Sequence, residues 1–167
     1  RSSPTGRKTD MAKTTNITVS GLGGQGVLKV TDILAEVLFR AGYDVKKSEV
    51  HGMSQRGGSV SSEVRYGEEV ASPMVPEGES DFLIVLEPTQ IEVNLHKLKA
   101  GGVLITTDDV PTDRLKTPKA LNTMMLGALS AKMPDIGEEL FLEVLKAFLP
   151  EKLHELNIEM FRLGRQG

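Results

Sequence analysis

The sequence predicts an α/β fold: a Rossmann-like, mostly parallel sheet with helices on both faces and a helical C-terminus. Three observations carry this expectation. A β-branched run, residues 16–20, leads into Gly21-Leu22-Gly23-Gly24-Gln25-Gly26 and then into an apolar-periodic stretch. Residues 81–87 hold five consecutive apolar side chains between two acids, the pattern of a strand buried on both faces. After residue 120, three helical periods follow one another. Alternating strand and helix imply a parallel sheet sandwiched by helices, with ligands or partners gathering at the carboxyl ends of its strands.

The first strand and its loop fit G-x-G-x-x-G at Gly21, Gly23 and Gly26 in a strand–turn–helix setting. Such glycines let a backbone come close to an anion, or simply turn the chain. In the helix expected over 27–41, Val27, Val30, Leu34, Val37, Leu38 and Ala41 share one stripe, and Gly42 stops it. Residues 44–50 read as a second strand, which would complete a β-α-β unit. Residues 59–66 resume as a strand, with Val60, Val64 and Tyr66 on one side and Ser61, Glu63 and Arg65 on a wetter one; 70–72 are expected to pair back.

After the buried strand, Pro88 suits the first turn of a helix over 88–98, closed by Gly101-Gly102. A further buried strand is expected at 103–107. Residues 121–133 read as a Met-rich helix. Asp135 and Glu138 have capping-box spacing ahead of a helix containing Phe141, Val144, Leu145 and Phe148. A last helix over 151–163 would end at Gly164.

Of the 167 residues, 15–167 are expected to form one domain, behind a polar leader at 1–14 in which Met11 looks like a natural start. A net charge of −3 offers nothing to nucleic acid or an acidic membrane. There is no cysteine, which excludes disulfides, thiolate-bound metal or clusters, and a thiol nucleophile in this chain. No apolar run approaches the roughly 18 residues needed to cross a bilayer. A cytoplasmic location is expected, with no membrane and no nucleic acid as partner.

The second unusual stretch is His51-Gly52-Met53-Ser54-Gln55-Arg56-Gly57-Gly58. His51 is a candidate acid or base, and Arg56 beside Gly57 and Gly58 can clamp a phosphate or carboxylate. Against this, a lone loop histidine is commonly solvated, and Arg56 can equally pair with Glu49 or Glu63. No nucleophile elbow, triad or metal-ligand spacing is present. His96 and His154 fall in expected helices as surface or packing residues. Asp108-Asp109 reads more readily as a cap than a cation site, and the Met cluster as core. Two readings remain open at this point: a dinucleotide-binding domain with Glu49 as the ribose acid, or a subunit completing an active site on another chain.

The order of these motifs resembles the gamma subunit or domain of 2-oxoacid:ferredoxin oxidoreductases. The residues that carry it are Gly21 to Leu28; then Ser48-Glu49-Val50-His51-Gly52-Met53-Ser54-Gln55-Arg56-Gly57-Gly58-Ser59-Val60, similar to the version in indolepyruvate-type beta subunits; then Ser72-Pro73, Pro76-Glu77-Gly78, Leu86-Glu87-Pro88 and Leu121 through Gly164. Relatives of this kind carry a further strand and connection where this chain has only 110–120, which leaves the number of strands open.

The resemblance implies an enzyme subunit, inactive alone, in a complex that oxidatively decarboxylates an aryl pyruvate such as indolepyruvate to an acyl-CoA and passes electrons to ferredoxin. Pyruvate, 2-oxoglutarate and branched-chain 2-oxoacids are the alternatives, and a stand-alone nucleotide-binding module is another. Thiamine diphosphate and [4Fe–4S] clusters would belong to a larger alpha-type subunit. This chain would hold no cofactor alone, no metal, and would contact coenzyme A. The binding residues expected by that analogy are Gly21, Gly23, Gly24, Gln25, Gly26, Ser54, Gln55, Arg56, Gly57 and Gly58, with His51 and Arg56 as the residues nearest to catalysis. In isolation the uncovered interface favours a homodimer.

Overall fold

The computed structural model describes residues 13–51 and 58–167, with Val50 and His51 by backbone only. Five strands form one sheet: β1 (Thr14–Leu22), β2 (Asp44–His51), β3 (Ser59–Gly67), β4 (Ser80–Val85) and β5 (Leu98–Ile105), in the order β2-β3-β1-β4-β5. The helices are α1 (Val27–Arg40), the single turn α2 (Ile91–Asn94), α3 (Leu121–Ser130), α4 (Glu138–Phe148) and α5 (His154–Gln166).

β1 lies at the centre. It pairs in parallel with β4, and β4 with β5. β3 runs antiparallel to both β1 and β2. The α/β architecture is as expected, with four strands pointing one way and β3 reversed. The β-α-β unit differs: β3 is inserted between β1 and β2, so those strands are not neighbours. The cause is chain length. Only seven residues join His51 to Ser59, and a parallel crossover needs a dozen or more.

Pairing parity assigns the two faces. Ile17, Val19, Ser62 and Val64 point toward α1, where the Thr31 and Ser62 hydroxyls bond at 2.9 Å. Ile17, Val19 and Val64 are fully buried there against Leu34, Val37 and Leu38. The α1 stripe holds except at its end, where Ala41 is exposed and Ile33 is buried instead. α3, α4 and α5 extend this layer around Phe141 and Phe161, whose rings stack tilted at 5.7 Å. The opposite face carries Asn16, Thr18, Ser20, Ser61, Glu63 and Arg65, and is covered by residues 72–79 and by the connector between β4 and β5.

Several local expectations are corrected. Residues 70–72 form no strand; Val70 plugs into the core while its N–H donates to the Asp44 carboxylate at 2.8 Å. The 88–98 helix is broken into a 3-10 turn (Pro88–Gln90), α2 and a second 3-10 turn (Leu95–Lys97). β5 begins at Leu98 and runs through Gly101-Gly102. It is an edge strand exposed at Lys99, Ala100 and Gly101 rather than a buried one. Gly137 starts α4 without a side-chain cap; the capping box forms at Thr106 and Asp109 instead, where the Thr106 N–H donates to the Asp109 carboxylate at 2.8 Å. Residues 110–120 hold two 3-10 turns and no sixth strand.

The last helix does not end at Gly164. α5 crosses α3 there, and a Cβ on Gly164 would lie 1.8 Å from the Met124 carbonyl, while one on Gly127 would lie 2.0 Å from that of Phe161. Only glycine permits this approach. The Met cluster is core, as expected: Met124 and Met125 are fully buried.

Candidate functional site

The glycine loop closes through one side chain. Gln25 accepts the Leu22 N–H on its Oε1 at 2.7 Å and donates from Nε2 to Glu87 at 2.9 Å. The Gln25 N–H returns to the Leu22 carbonyl at 3.1 Å. Gln25 thus ties the end of β1 to Glu87, two residues past β4. Gly26 has φ of +83°, and a Cβ there would meet Asn122 Nδ2 at 2.3 Å, so backbone and packing both require glycine. From Gly26 the chain enters α1 with no side-chain cap and no acidic residue in the first turn, and Lys29 stands exposed beside it. The local potential is therefore positive.

The second stretch begins two strands away from this loop and ends beside it. His51 closes β2 opposite Val60. The Gly58 carbonyl accepts the Gly23 N–H at 2.9 Å. Ser59 Oγ donates to Gln90 Oε1 at 2.7 Å, which draws the turn after Pro88 into the same cluster. Gly21, Gly23, Gly24, Gln25, Gly26 and Gly58 are thus gathered at the carboxyl end of β1 and β4. Ser54, Gln55, Arg56, Gly57 and the His51 side chain lie outside the described residues. Glu87, Ser59 and Gln90 join the cluster. Glu87-Pro88 is placed there by its position after a buried strand, whereas nothing in the local sequence marks Ser59 or Gln90.

Below the loop, the face expected to be wet is a covered polar layer. Ser20 and Ser61 hydroxyls bond at 2.8 Å, and Thr18 bonds Ser80; all four residues are buried. Arg65 donates to Asn16 Oδ1 and to the carbonyls of Ser72 and Met74, each at 2.9 Å, and so pins the 72–79 loop over the sheet. Lys97 Nζ donates to Ser61 Oγ at 3.0 Å, and burial pushes its pKa below the usual lysine value.

The remaining candidates are structural. Asp109 caps its own turn. His96 sits 3.3 Å from Glu77, and His154 Nε2 lies 2.8 Å from the Leu149 carbonyl. Glu49 lies on β2, two strand spacings or roughly 10 Å from β1, so it is not next to the glycine loop as a ribose acid must be. Beside the first turn of α1, Lys29, Ile33, Asn122, Leu153 and Leu156 line a cavity of about 550 Å³. Among the described residues no group of three His, Asp or Glu is placed to hold a metal, and no helix is long and apolar enough to cross a membrane.

Comparison with known proteins gives this arrangement a context. The chain matches the family described as pyruvate ferredoxin/flavodoxin oxidoreductase over residues 16–167. It is 33% identical to the indolepyruvate oxidoreductase subunit IorB of Thermococcus kodakarensis, over 89% of this chain and 93% of that one. The alignment spans 190 positions, more than the 167 residues here, so the relative holds segments this chain lacks. The gamma subunit of a keto/oxoacid ferredoxin oxidoreductase from Geobacter sulfurreducens shares the fold with a TM-score of 0.76 at 24% identity, over 93% of this chain and 96% of that one. A 2-oxoglutarate:ferredoxin oxidoreductase from Magnetococcus marinus, solved with 2-oxoglutarate, coenzyme A and succinyl-CoA, matches with a TM-score of 0.79 at 24% identity; 92% of this chain aligns to 31% of that longer one. With the match running through both glycine stretches to the C-terminus, the chain belongs to the pyruvate ferredoxin/flavodoxin oxidoreductase family.

Proposed function

We propose that this chain is the small, gamma-type subunit of a 2-oxoacid:ferredoxin oxidoreductase acting on an aryl 2-oxoacid such as indolepyruvate, and that it completes an active site carried by a larger subunit. The observation that carries the reading is the Gly23–Gly58 bond, which seats the end of the Arg56-bearing stretch on the glycine loop. The result is a binding-type edge that shows no triad and no metal set among the described residues. The whole-length similarity to an indolepyruvate oxidoreductase subunit supports the aryl substrate.

The chain has no cysteine, so [4Fe–4S] clusters are assigned to the larger subunit, and thiamine diphosphate with them. Thiamine diphosphate there supplies the carbanion chemistry of decarboxylation. Coenzyme A is assigned to the shared edge. The uncapped start of α1 and exposed Lys29 suit its phosphates, and the neighbouring cavity suits a nucleoside-sized group. Arg56 is proposed to clamp a coenzyme A phosphate or the substrate carboxylate, and His51 to make a polar contact nearby.

The test is co-expression with a large subunit bearing thiamine and ferredoxin-type motifs, followed by ferredoxin reduction with aryl, branched and simple 2-oxoacids. The expected result is a stable complex with the highest kcat/KM for aryl pyruvates. A preference for pyruvate, 2-oxoglutarate or branched 2-oxoacids would reassign the substrate, and failure to form an active complex would overturn the subunit reading. In the active complex, Arg56→Ala is expected to lower turnover or raise the KM for coenzyme A without preventing assembly. Unchanged kinetics would remove Arg56 from the site.

A further inference from the structure

Lys97 ends the connector between β4 and β5, which crosses the polar face of the sheet. Its side chain runs along that face to Ser61, which is paired with Ser20 in β1 and bonded to it. Ser61 lies three residues from Gly58, so the hydroxyl that holds the ammonium sits roughly 10 Å along the strand from the junction of the glycine loop with Gly58. An ammonium has three donors. One goes to Ser61 Oγ, and among the described residues no carboxylate lies within 4.0 Å of it. Glu63 and Glu77 attract it from farther away. A half-buried lysine without an ion-pair partner is costly, because water is stripped from the charge and nothing of opposite sign replaces it. The neighbouring cations are spent differently. Lys99 is paired with Asp81 at 3.1 Å, and Arg65 is held by Asn16 and two carbonyls that pin the 72–79 loop.

We propose that Lys97, held by the Ser61–Ser20 hydroxyl pair, is an anion-binding residue of the candidate site, taking an oxyanion of the ligand that enters at the carboxyl end of the sheet. Two parts of the reactants carry such a group, a coenzyme A phosphate and the 2-oxoacid carboxylate, and both present acceptors to an ammonium in the same way. The inference rests on the subunit reading above.

The experiment uses the active complex, with wild-type, Lys97→Met and Lys97→Arg forms of this chain. Activity of the wild-type complex tests the subunit reading by itself; only the comparison of variants tests Lys97. Lys97→Met keeps the apolar stem and removes the charge. It is expected to raise one KM about tenfold, as for the loss of one charge-assisted hydrogen bond, while Lys97→Arg recovers a large part of that loss. A rise confined to coenzyme A assigns a phosphate, and a rise confined to the 2-oxoacid assigns the carboxylate. Because burial disfavours the charge, the melting temperature of the Met variant at pH 7 is expected to be unchanged or higher. A lowered melting temperature with both KM values within twofold of wild type would make Lys97 a structural tether and overturn the proposal. So would unchanged kinetics at unchanged stability, or failure of either variant to assemble.

Discussion

Gln25 shows how one side chain can organise a loop. Its two ends are taken by the Leu22 N–H and by Glu87, so it sets where the loop sits relative to the start of the connector that follows β4. Gln25→Ala is expected to destabilise the chain by about 1–2 kcal/mol, because a partly buried N–H loses its acceptor; chemical denaturation measures it. Asp44 plays a similar part for Val70. The Val70 N–H, and then Lys46, hold the Asp44 carboxyl below its ordinary value of 3.8. A depressed carboxyl contributes stability above its unfolded value and loses that contribution as pH falls through the folded one. The Val70 amide should therefore stay protected from exchange, relative to its intrinsic rate, down to about pH 4 and lose protection below that. In Asp44→Ala it should be unprotected throughout, by pH-resolved hydrogen exchange. Neither partnership could be read in the sequence, since each joins residues whose proximity depends on strand order.

At the scale of elements, the crossing of α3 and α5 is set by Gly127 and Gly164, where helix backbones meet with no room for a Cβ. Gly164→Ala is expected to cost upward of about 4 kcal/mol or to abolish folding, the range reserved for severe overpacking and backbone displacement. A thermal melt of the variant checks it; a shift of only a few degrees would mean the helices separate freely. The sequence took this glycine for a helix stop, because a stop and a close crossing leave the same mark in a single chain. The buried strand around Leu83 and the α1 stripe were legible, since each displays its periodicity locally. The reversal of β3 was legible too, in the seven-residue link that cannot carry a crossover. It was hidden by the ordinary expectation that a strand after a helix lies beside the strand before it. Gly101-Gly102 misled in the same way: they lie inside an edge strand where its pairing with β4 shifts register.

For the molecule as a whole, strand order decides between ligand classes. β3 separates Glu49 from the glycine loop, so Glu49 is not placed to hold a nicotinamide nucleotide's ribose, and the acid that does adjoin the loop, Glu87, is taken up by Gln25 and Thr89. Titration of the chain with NAD is expected to give no saturable heat. Micromolar binding that disappears in Glu49→Ala would restore the dinucleotide reading. That both glycine stretches share one edge was legible from their position after strands. Which hydroxyls and amides complete that edge was not, because Ser59 and Ser61 are ordinary surface-type residues until the β4–β5 connector, which carries Gln90 and Lys97, folds against them.

The buried hydroxyl pairs, Thr18 with Ser80 and Ser20 with Ser61 within the sheet and Thr31 of α1 with Ser62, have a thermal side. Polar surface exposed on unfolding lowers the heat capacity change, while apolar surface raises it. A sheet centre that buries these hydroxyls in place of methyl groups flattens the curve of stability against temperature. It thus spreads the folded state over a wider range, at the expense of the height of its maximum.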